Sequence, residues 1–310
     1  MPKISIITPC YYNELNIIDY FLNMFENETK FPEDVSFEYI MVDDGSKDNT
    51  WNELVKAQNL NPKKIKILKL LKNYSSTNAV FSALPYVTGD CVVIISADLQ
   101  DPPELILEMY NYWKSGYKLV LANRISREEP FMQKLISNTT HFLIKKFGLK
   151  NLPKGGFDLN LFDIEISKVI QNLNEQNSFF PFLLIWLGYE YVNIPYTRRK
   201  RKIGKSSYNL SKKIKAFVDS FVAFSFFPIR LISIVGLSFG FFALIYSIII
   251  LYNRFIGSIA SAGWSSLMIL ILLVSSFQMI SLGIIGEYVW RNLESSRNRP
   301  RFIIEKKILE

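Results

Sequence analysis

Short apolar runs alternate with amphipathic stretches over the first two hundred residues, and long uncharged runs follow. Ile4 to Thr8 is strand-like, and Glu14 to Phe25 has helical spacing that sets Leu15, Ile18, Leu22 and Phe25 on one face. Tyr39 to Val42 predicts a second strand, closing on Asp43-Asp44-Gly45-Ser46, and Asp48 is placed to cap a helix reaching about Gln58. Ile65 to Leu68 predicts a third strand, with a helix across about Ser76 to Tyr86. Cys91 to Ile95 is apolar throughout, as a strand buried on both faces must be. Pro102-Pro103-Glu104 opens the next helix, because proline suits a first helical turn, and Leu119 to Ala122 makes a fifth strand. This alternation predicts an α/β fold, a doubly wound and mostly parallel sheet with helices on both faces.

Beyond residue 197 the pattern predicts a membrane anchor. Arg198, Arg199, Lys200, Arg201, Lys202 and Lys205 form a dense basic loop. Leu210 to Phe227 reads as an amphipathic helix, with Lys212, Lys213 and Lys215 beside Ile214, Phe217, Phe221 and Phe224, fit to lie among lipid headgroups. Leu231 to Tyr252 and Phe255 to Gly286 then run without a charge, each reaching the roughly 20 residues that span hydrocarbon. The expected division is an α/β domain over 1–197, the basic loop and interfacial helix over 198–228, two spans within 229–288 (230–252 and 264–287), and a basic tail over 289–310. Arg291, Arg297, Arg299 and Arg301 follow the second run, whereas the loop between the runs carries only Arg254. Positive-inside bias then puts both termini and the α/β domain in the cytosol, at an inner or plasma membrane. The expectation includes no signal peptide ahead of Ile4.

Composition agrees with segregated character. The hydrophobic fraction is 49% although 21% of residues are charged, and the net charge is +8. The basic excess clusters beside the apolar runs and accompanies no nucleic-acid-binding motif, so a bilayer is the expected partner and nucleic acid is not. Cys10 and Cys91 each lie in an apolar strand-like run and read as buried small hydrophobes in a reducing compartment. His141 is the single histidine, so a His/Cys zinc site is not expected, and any metal would be a hard cation on oxygen ligands.

In open parallel sheets, ligands bind beyond the carboxyl ends of the strands. Here those ends carry acids: Glu14 after the first strand, Asp43 and Asp44 after the second, Asp98 and Asp101 after the central one. One such cluster is ordinary turn and cap chemistry. Three converging on one crevice would repel one another, and a divalent cation with a nucleotide diphosphate would relieve that repulsion.

Val42-Asp43-Asp44-Gly45-Ser46, followed by Asp98-Leu99-Gln100-Asp101-Pro102-Pro103-Glu104, resembles family 2 glycosyltransferases of the GT-A fold, a Rossmann-like domain. Gly204-Lys205-Ser206-Ser207-Tyr208, Ile285-Gly286-Glu287-Tyr288 and Arg299-Pro300 extend the resemblance to polyprenyl-phosphate glycosyltransferases, over essentially the whole chain. The resemblance implies that Pro9, Tyr11, Glu14, Asp43 and Asp44 hold the nucleotide sugar. It implies that Asp98 and Gln100 take Mg²⁺ or Mn²⁺, and that Asp98 and Asp158 are the catalytic acids. Arg124, Arg127, Ser137, Arg201 and Lys205 would face the acceptor phosphate. The implied reaction is inverting transfer from a nucleotide sugar, UDP-glucose first, to a polyprenyl phosphate such as undecaprenyl phosphate, for the cell envelope. The acceptor phosphate, with a second pKa near about 6, is already anionic at neutral pH, so positioning and metal charge matter more than a strong base.

The stretch Lys72-Asn73-Tyr74-Ser75-Ser76, which lacks the usual Phe-Gly-Lys character, and two single positions depart from the family's usual pattern. Ser96 stands where a second aspartate is usual, and Asn160 stands near a usual arginine. They support one rival reading, a membrane scaffold on a catalytically impaired domain. Another rival, a processive polysaccharide synthase, would carry Gln-x-x-Arg-Trp, which the chain lacks, and would need more than two spans. Homo-oligomerisation is left open by the sequence.

Overall fold

The computed structural model describes residues 1–125, 131–173, 179–199, 221–222, 224–255, 263–297 and 299–309. The chain divides into two compact units, Met1–Ala223 with Pro300–Glu310, and Phe224–Arg299.

The first unit is built on one eight-stranded sheet. Its strands are β1 (Lys3–Cys10), β2 (Ser36–Asp43), β3 (Ile65–Leu70), β4 (Cys91–Ile94), β5 (Leu119–Arg124), β6 (Asn160–Asp163), β7 (Tyr191–Tyr196) and β8 (Ile304–Ile308). The spatial order is β7-β5-β6-β4-β1-β2-β3-β8. The pairs β1–β2, β1–β4, β2–β3 and β5–β7 are parallel, while β6 and β8 run antiparallel to their neighbours. All five expected strands are present and the sheet is mostly parallel, a GT-A-like α/β arrangement.

Helices α1 (Ile17–Glu28), α2 (Thr50–Leu60) and α4 (Leu105–Lys114) cover one face, where Tyr20, Met24, Leu54, Met109 and Tyr110 pack on Ile4, Ile6, Tyr39, Met41 and Val93. Helix α3 (Ser76–Ala83) packs against β1 and β2, and α6 (Ile164–Gln171) against β4 and β6. In α7 (Phe180–Trp186), Phe180 meets Phe81 and Phe162. Helix α5 spans Phe131–Phe147, and His141 Nε2 lies 2.7 Å from the Pro153 carbonyl. Cys10 and Cys91 are free and buried, and burial pushes both thiols up in pKa.

One helix turns a different face inward from the one its spacing suggested. Leu15, Ile18 and Leu22 are exposed, and the buried set is Ile17, Tyr20, Phe21 and Met24. Both sets satisfy helical spacing. The second wins because its aromatics fill the core and because the Tyr20 hydroxyl meets Thr8 Oγ1 at 2.6 Å.

A buried acid ties the sheet at the edge where β1 and β2 begin. Glu38, 2% exposed, accepts from Ser5 Oγ (2.5 Å), Thr88 N (2.6 Å), Thr88 Oγ1 (2.6 Å) and Lys66 Nζ (2.9 Å), with Lys3 Nζ at 3.0 Å. Burial alone would raise its pKa, but these bonds hold it at about 2.

The tail expected over 289–310 is in part an element of the sheet. Strand β8 pairs with β3, Ile308 opposite Ile67, so apolar positions at 304 and 308 are drawn to the sheet despite the charges between them.

The second unit holds two long helices, α8 (Phe227–Phe255) and α9 (Trp264–Ser296), of 29 and 33 residues. They touch through Phe239 and Phe277, and the Tyr288 hydroxyl donates to the Ser225 carbonyl. Among the described residues one stretch, Leu273–Ser296, is long and apolar enough to cross a membrane, and Phe227–Phe242 is a shorter apolar stretch. The expected interfacial helix falls almost wholly outside the described residues.

Candidate active site

Sheet topology gathers the acids at one edge. Register sets Cys10 beside Asp43 and Ile7 beside Ile94, so the turns after β1, β2 and β4 leave the sheet together. Antiparallel β6 enters at that edge, with Asn160 opposite Ile94, which brings Asp158 there. Parallel β5 and β7 end there, with Arg124 opposite Tyr196.

The turns are interlaced by side chain to backbone bonds. Tyr12 N donates to Ser46 Oγ (3.0 Å), Asn13 N to Thr50 Oγ1 (2.9 Å) and Asn49 N to Glu14 Oε2 (2.8 Å). Asp44 N reaches the Cys10 carbonyl at 2.8 Å, and Tyr74 N donates to Asp44 Oδ1 at 2.7 Å. Among the described residues the non-glycine positions with positive φ are Tyr12, Ser75 and Leu99, at 55°, 86° and 52°, one in each of three turns at this edge. Such backbone is costly and concentrates where function needs it.

Asp43 and Asp44 are buried at the end of β2. Burial raises both carboxyls, that of Asp44 to about 7, where the charge of Asp43 adds to the effect. Asp43 Oδ1 accepts from Ser46 N (2.9 Å), whereas its buried Oδ2 lacks a hydrogen-bond partner. An orphaned acceptor of this kind costs free energy unless a ligand donor meets it. Pro9 lies in β1, paired with Val42, and Tyr11 stacks edge-on to Tyr12 at 4.6 Å.

The turn after β4 is a compact carboxylate nest. Ser96 Oγ lies 2.8 Å from Asp98 Oδ1 and 3.0 Å from Asp101 Oδ2, and Gln100 N donates to Asp98 Oδ1 at 3.2 Å. Where a third carboxylate would add repulsion, the Ser96 hydroxyl donates a hydrogen bond to one acid or the other. Gln100 Nε2 donates to the Arg199 carbonyl at 3.2 Å, which leaves the amide oxygen as the atom for a cation. Among the described residues no three His, Cys, Asp or Glu side chains gather as a metal cage. The donors are hard oxygens and few. They fit a hard divalent cation that takes further ligands from outside the protein, and they do not fit a closed structural site.

Asp158 and Arg124 meet directly, Nη2 to Oδ2 at 2.5 Å, with Arg124 mostly buried. The Gly155-Gly156 pair makes room for this arginine. Gly155 has φ +87° and a Cβ there would stand 2.3 Å from the Arg124 carbonyl oxygen; one on Gly156 would stand 2.1 Å from Arg124 Nη2. Gly156→Ala is therefore expected to displace the guanidinium and lower activity about a hundredfold with little change in thermal midpoint, checked by kinetics and melting together.

Asn160 is fully buried and donates from Nδ2 to the Asp158 carbonyl at 3.1 Å. Arg127, Arg201 and Lys205 lie outside the described residues, as does the side chain of Ser137 in α5. Sequence reasoning gave no individual role to Asp101, Tyr196 or Arg198. Asp101 is fully buried and accepts from the Tyr196 hydroxyl at 2.5 Å, while Arg198 Nε stands 3.1 Å from its Oδ1. The signal was the second acid of Asp98-Leu99-Gln100-Asp101, which a metal reading of the first acid overshadowed.

The site is an acid-lined carboxyl edge on a GT-A-like sheet, the edge where such sheets bind ligands, and sequence comparison supplies the family. The profile of Glycosyl transferase family 2 matches residues 5–168. The glycosyltransferase YkcC of Bacillus subtilis is 33% identical over 303 residues, 97% of this chain and 93% of that protein. A bactoprenol glucosyl transferase of Shigella phage SfX is 28% identical, covering 98% of this chain and 99% of its own length. An undecaprenyl-phosphate 4-deoxy-4-formamido-L-arabinose transferase of Yersinia pestis is 27% identical, covering 99% and 94%. The chain belongs to glycosyltransferase family 2, and it is a glycosyltransferase.

Proposed function

We propose that this glycosyltransferase moves a sugar from a nucleoside diphosphate, UDP-glucose first, to a polyprenyl phosphate at a membrane face, with inversion at the anomeric carbon. The observation that carries the reading is the gathering of Asp43, Asp44, Asp98 and the Arg124–Asp158 pair at one sheet edge. Relatives named for bactoprenol and undecaprenyl phosphate, matched over nearly their full length, support the acceptor class.

In this reading Pro9, Tyr11, Glu14, Asp43 and Asp44 form the nucleoside pocket, with Asp43 Oδ2 accepting from the base or ribose. Asp98 and Gln100 hold Mg²⁺ or Mn²⁺, which when bound stabilises charge on the leaving diphosphate. Asp158 keeps Arg124 oriented toward the acceptor phosphate, joined by Arg127, Ser137, Arg201 and Lys205. The phosphate is its own nucleophile, so the protein's task is alignment. Helices α8 and α9 cross the bilayer as two spans, with both termini and the α/β domain on the cytosolic side. The exposed Leu237, Phe241, Phe242, Ile248, Met279 and Leu282 support this, since hydrocarbon is the medium that suits them.

The test is purified full-length protein with Mn²⁺, undecaprenyl phosphate and a panel of radiolabelled nucleotide sugars. A lipid-linked product with one donor is the expected result. Absence of product with every donor, together with no nucleotide binding by calorimetry, would overturn the reading and favour a membrane scaffold.

A further inference from the structure

Arg198 opens the basic run, yet it is withdrawn from solvent. Its side chain is 15% exposed and faces Asp101, which is fully buried. Nη2 stands 3.4 Å from Asp101 Oδ2 and Nε 3.1 Å from Oδ1. The next residue repeats the attachment: Arg199 N donates to the Gln100 carbonyl (2.9 Å), Gln100 Nε2 donates back to the Arg199 carbonyl (3.2 Å), and Arg199 Nη2 pairs with Glu104 at 3.1 Å. The Tyr196 hydroxyl holds the other side of Asp101 at 2.5 Å. Residues 196–199 are thus stitched along residues 98–104, the turn that carries Asp98 and Gln100.

We propose that Arg198 is a positioning residue: paired with Asp101, it straps the start of the acceptor-side basic segment onto the donor-side turn and so sets the two substrates in register. The proposal rests on the transferase reading above. Arg198 does not itself bind phosphate, because releasing Asp101 would strand a buried carboxylate, which is strongly unfavourable. Its charge instead fixes the chain three residues before Arg201 and seven before Lys205. An exposed pair such as Arg199–Glu104 would do this weakly alone. The buried pair, the hydroxyl and the reciprocal bonds between Gln100 and Arg199 act together.

Two variants, Arg198→Gln and Arg198→Lys, test the strap. In metal-free protein, Arg198→Gln is expected to speed hydrogen exchange at the Arg199 amide about tenfold, with Arg198→Lys near wild type. In assays with Mn²⁺, UDP-glucose and undecaprenyl phosphate, Arg198→Gln is expected to raise the acceptor KM about tenfold and to lower kcat, while UDP binding by calorimetry stays within about threefold. Combining Arg198→Gln with Asp101→Asn is expected to add nothing, since both remove one interaction. Unchanged exchange and unchanged acceptor KM in Arg198→Gln would overturn the proposal, as would an equal loss of donor and acceptor affinity that lysine fails to rescue. The two readings fail separately. An inactive wild type removes the transferase reading and leaves the exchange experiment to decide the strap; an active wild type matched by Arg198→Gln removes the strap alone.

Discussion

Asp98→Asn is expected to lower sugar transfer about a thousandfold while the protein folds normally. The substitution keeps the side chain's size and its oxygen acceptor for Ser96 Oγ and Gln100 N, at 2.8 and 3.2 Å in the native protein. It removes the charge that would hold the cation on the donor diphosphate. Metal stabilisation of a leaving group supplies several kcal/mol, and about 4 kcal/mol corresponds to three powers of ten in rate. The measurement is kcat with Mn²⁺ titrated at saturating donor, beside a thermal melt. An Asp98→Asn enzyme within tenfold of wild type would show that the cation is held elsewhere.

Glu38→Gln is expected to lower the thermal midpoint by roughly 10 °C, a loss of about 3 kcal/mol, without a direct effect on catalysis. The carboxylate joins Ser5, Thr88, Lys66 and Lys3 across three separate stretches of chain, and glutamine leaves the lysines without their counter-charge. The sign of the pH dependence follows from the lowered pKa. The carboxyl sits at about 2 in the folded protein against 4.5 ordinarily, so its contribution is full above pH 4.5 and is lost as pH falls toward 2. The gap in melting temperature between wild type and Glu38→Gln should therefore be largest near neutrality and close under acid. A gap independent of pH would mean that packing, and not charge, carries the effect.

Interior strands other than the short antiparallel β6, which was missed, were legible because their sequence admits one reading. Cys91 to Ile94 and Tyr39 to Val42 are apolar without interruption and are flanked by turn residues. Edge strands were not. Tyr191–Tyr196 alternates exposure and contains Pro195, and Ile304–Ile308 has three consecutive charged residues at its centre, so neither carries the pattern of burial. Helix α1 failed differently, because two apolar stripes fit one period and only the sheet chooses between them. At the site, acids at strand ends were readable from position alone. The Arg124–Asp158 and Arg198–Asp101 pairs join residues 34 and 97 apart, and no local pattern encodes such a partnership.

Strand β8 changes how the chain should be cut. The helical unit at Phe224–Arg299 is an insertion within the α/β domain, whose last segment begins at Pro300. A stop codon placed before the helices would delete β8 and bare the backbone of β3, an unpaired edge that invites other chains to add to it. A soluble version of the domain calls for a splice instead, with a flexible linker joining the region of residue 223 to residue 300 and the strand retained.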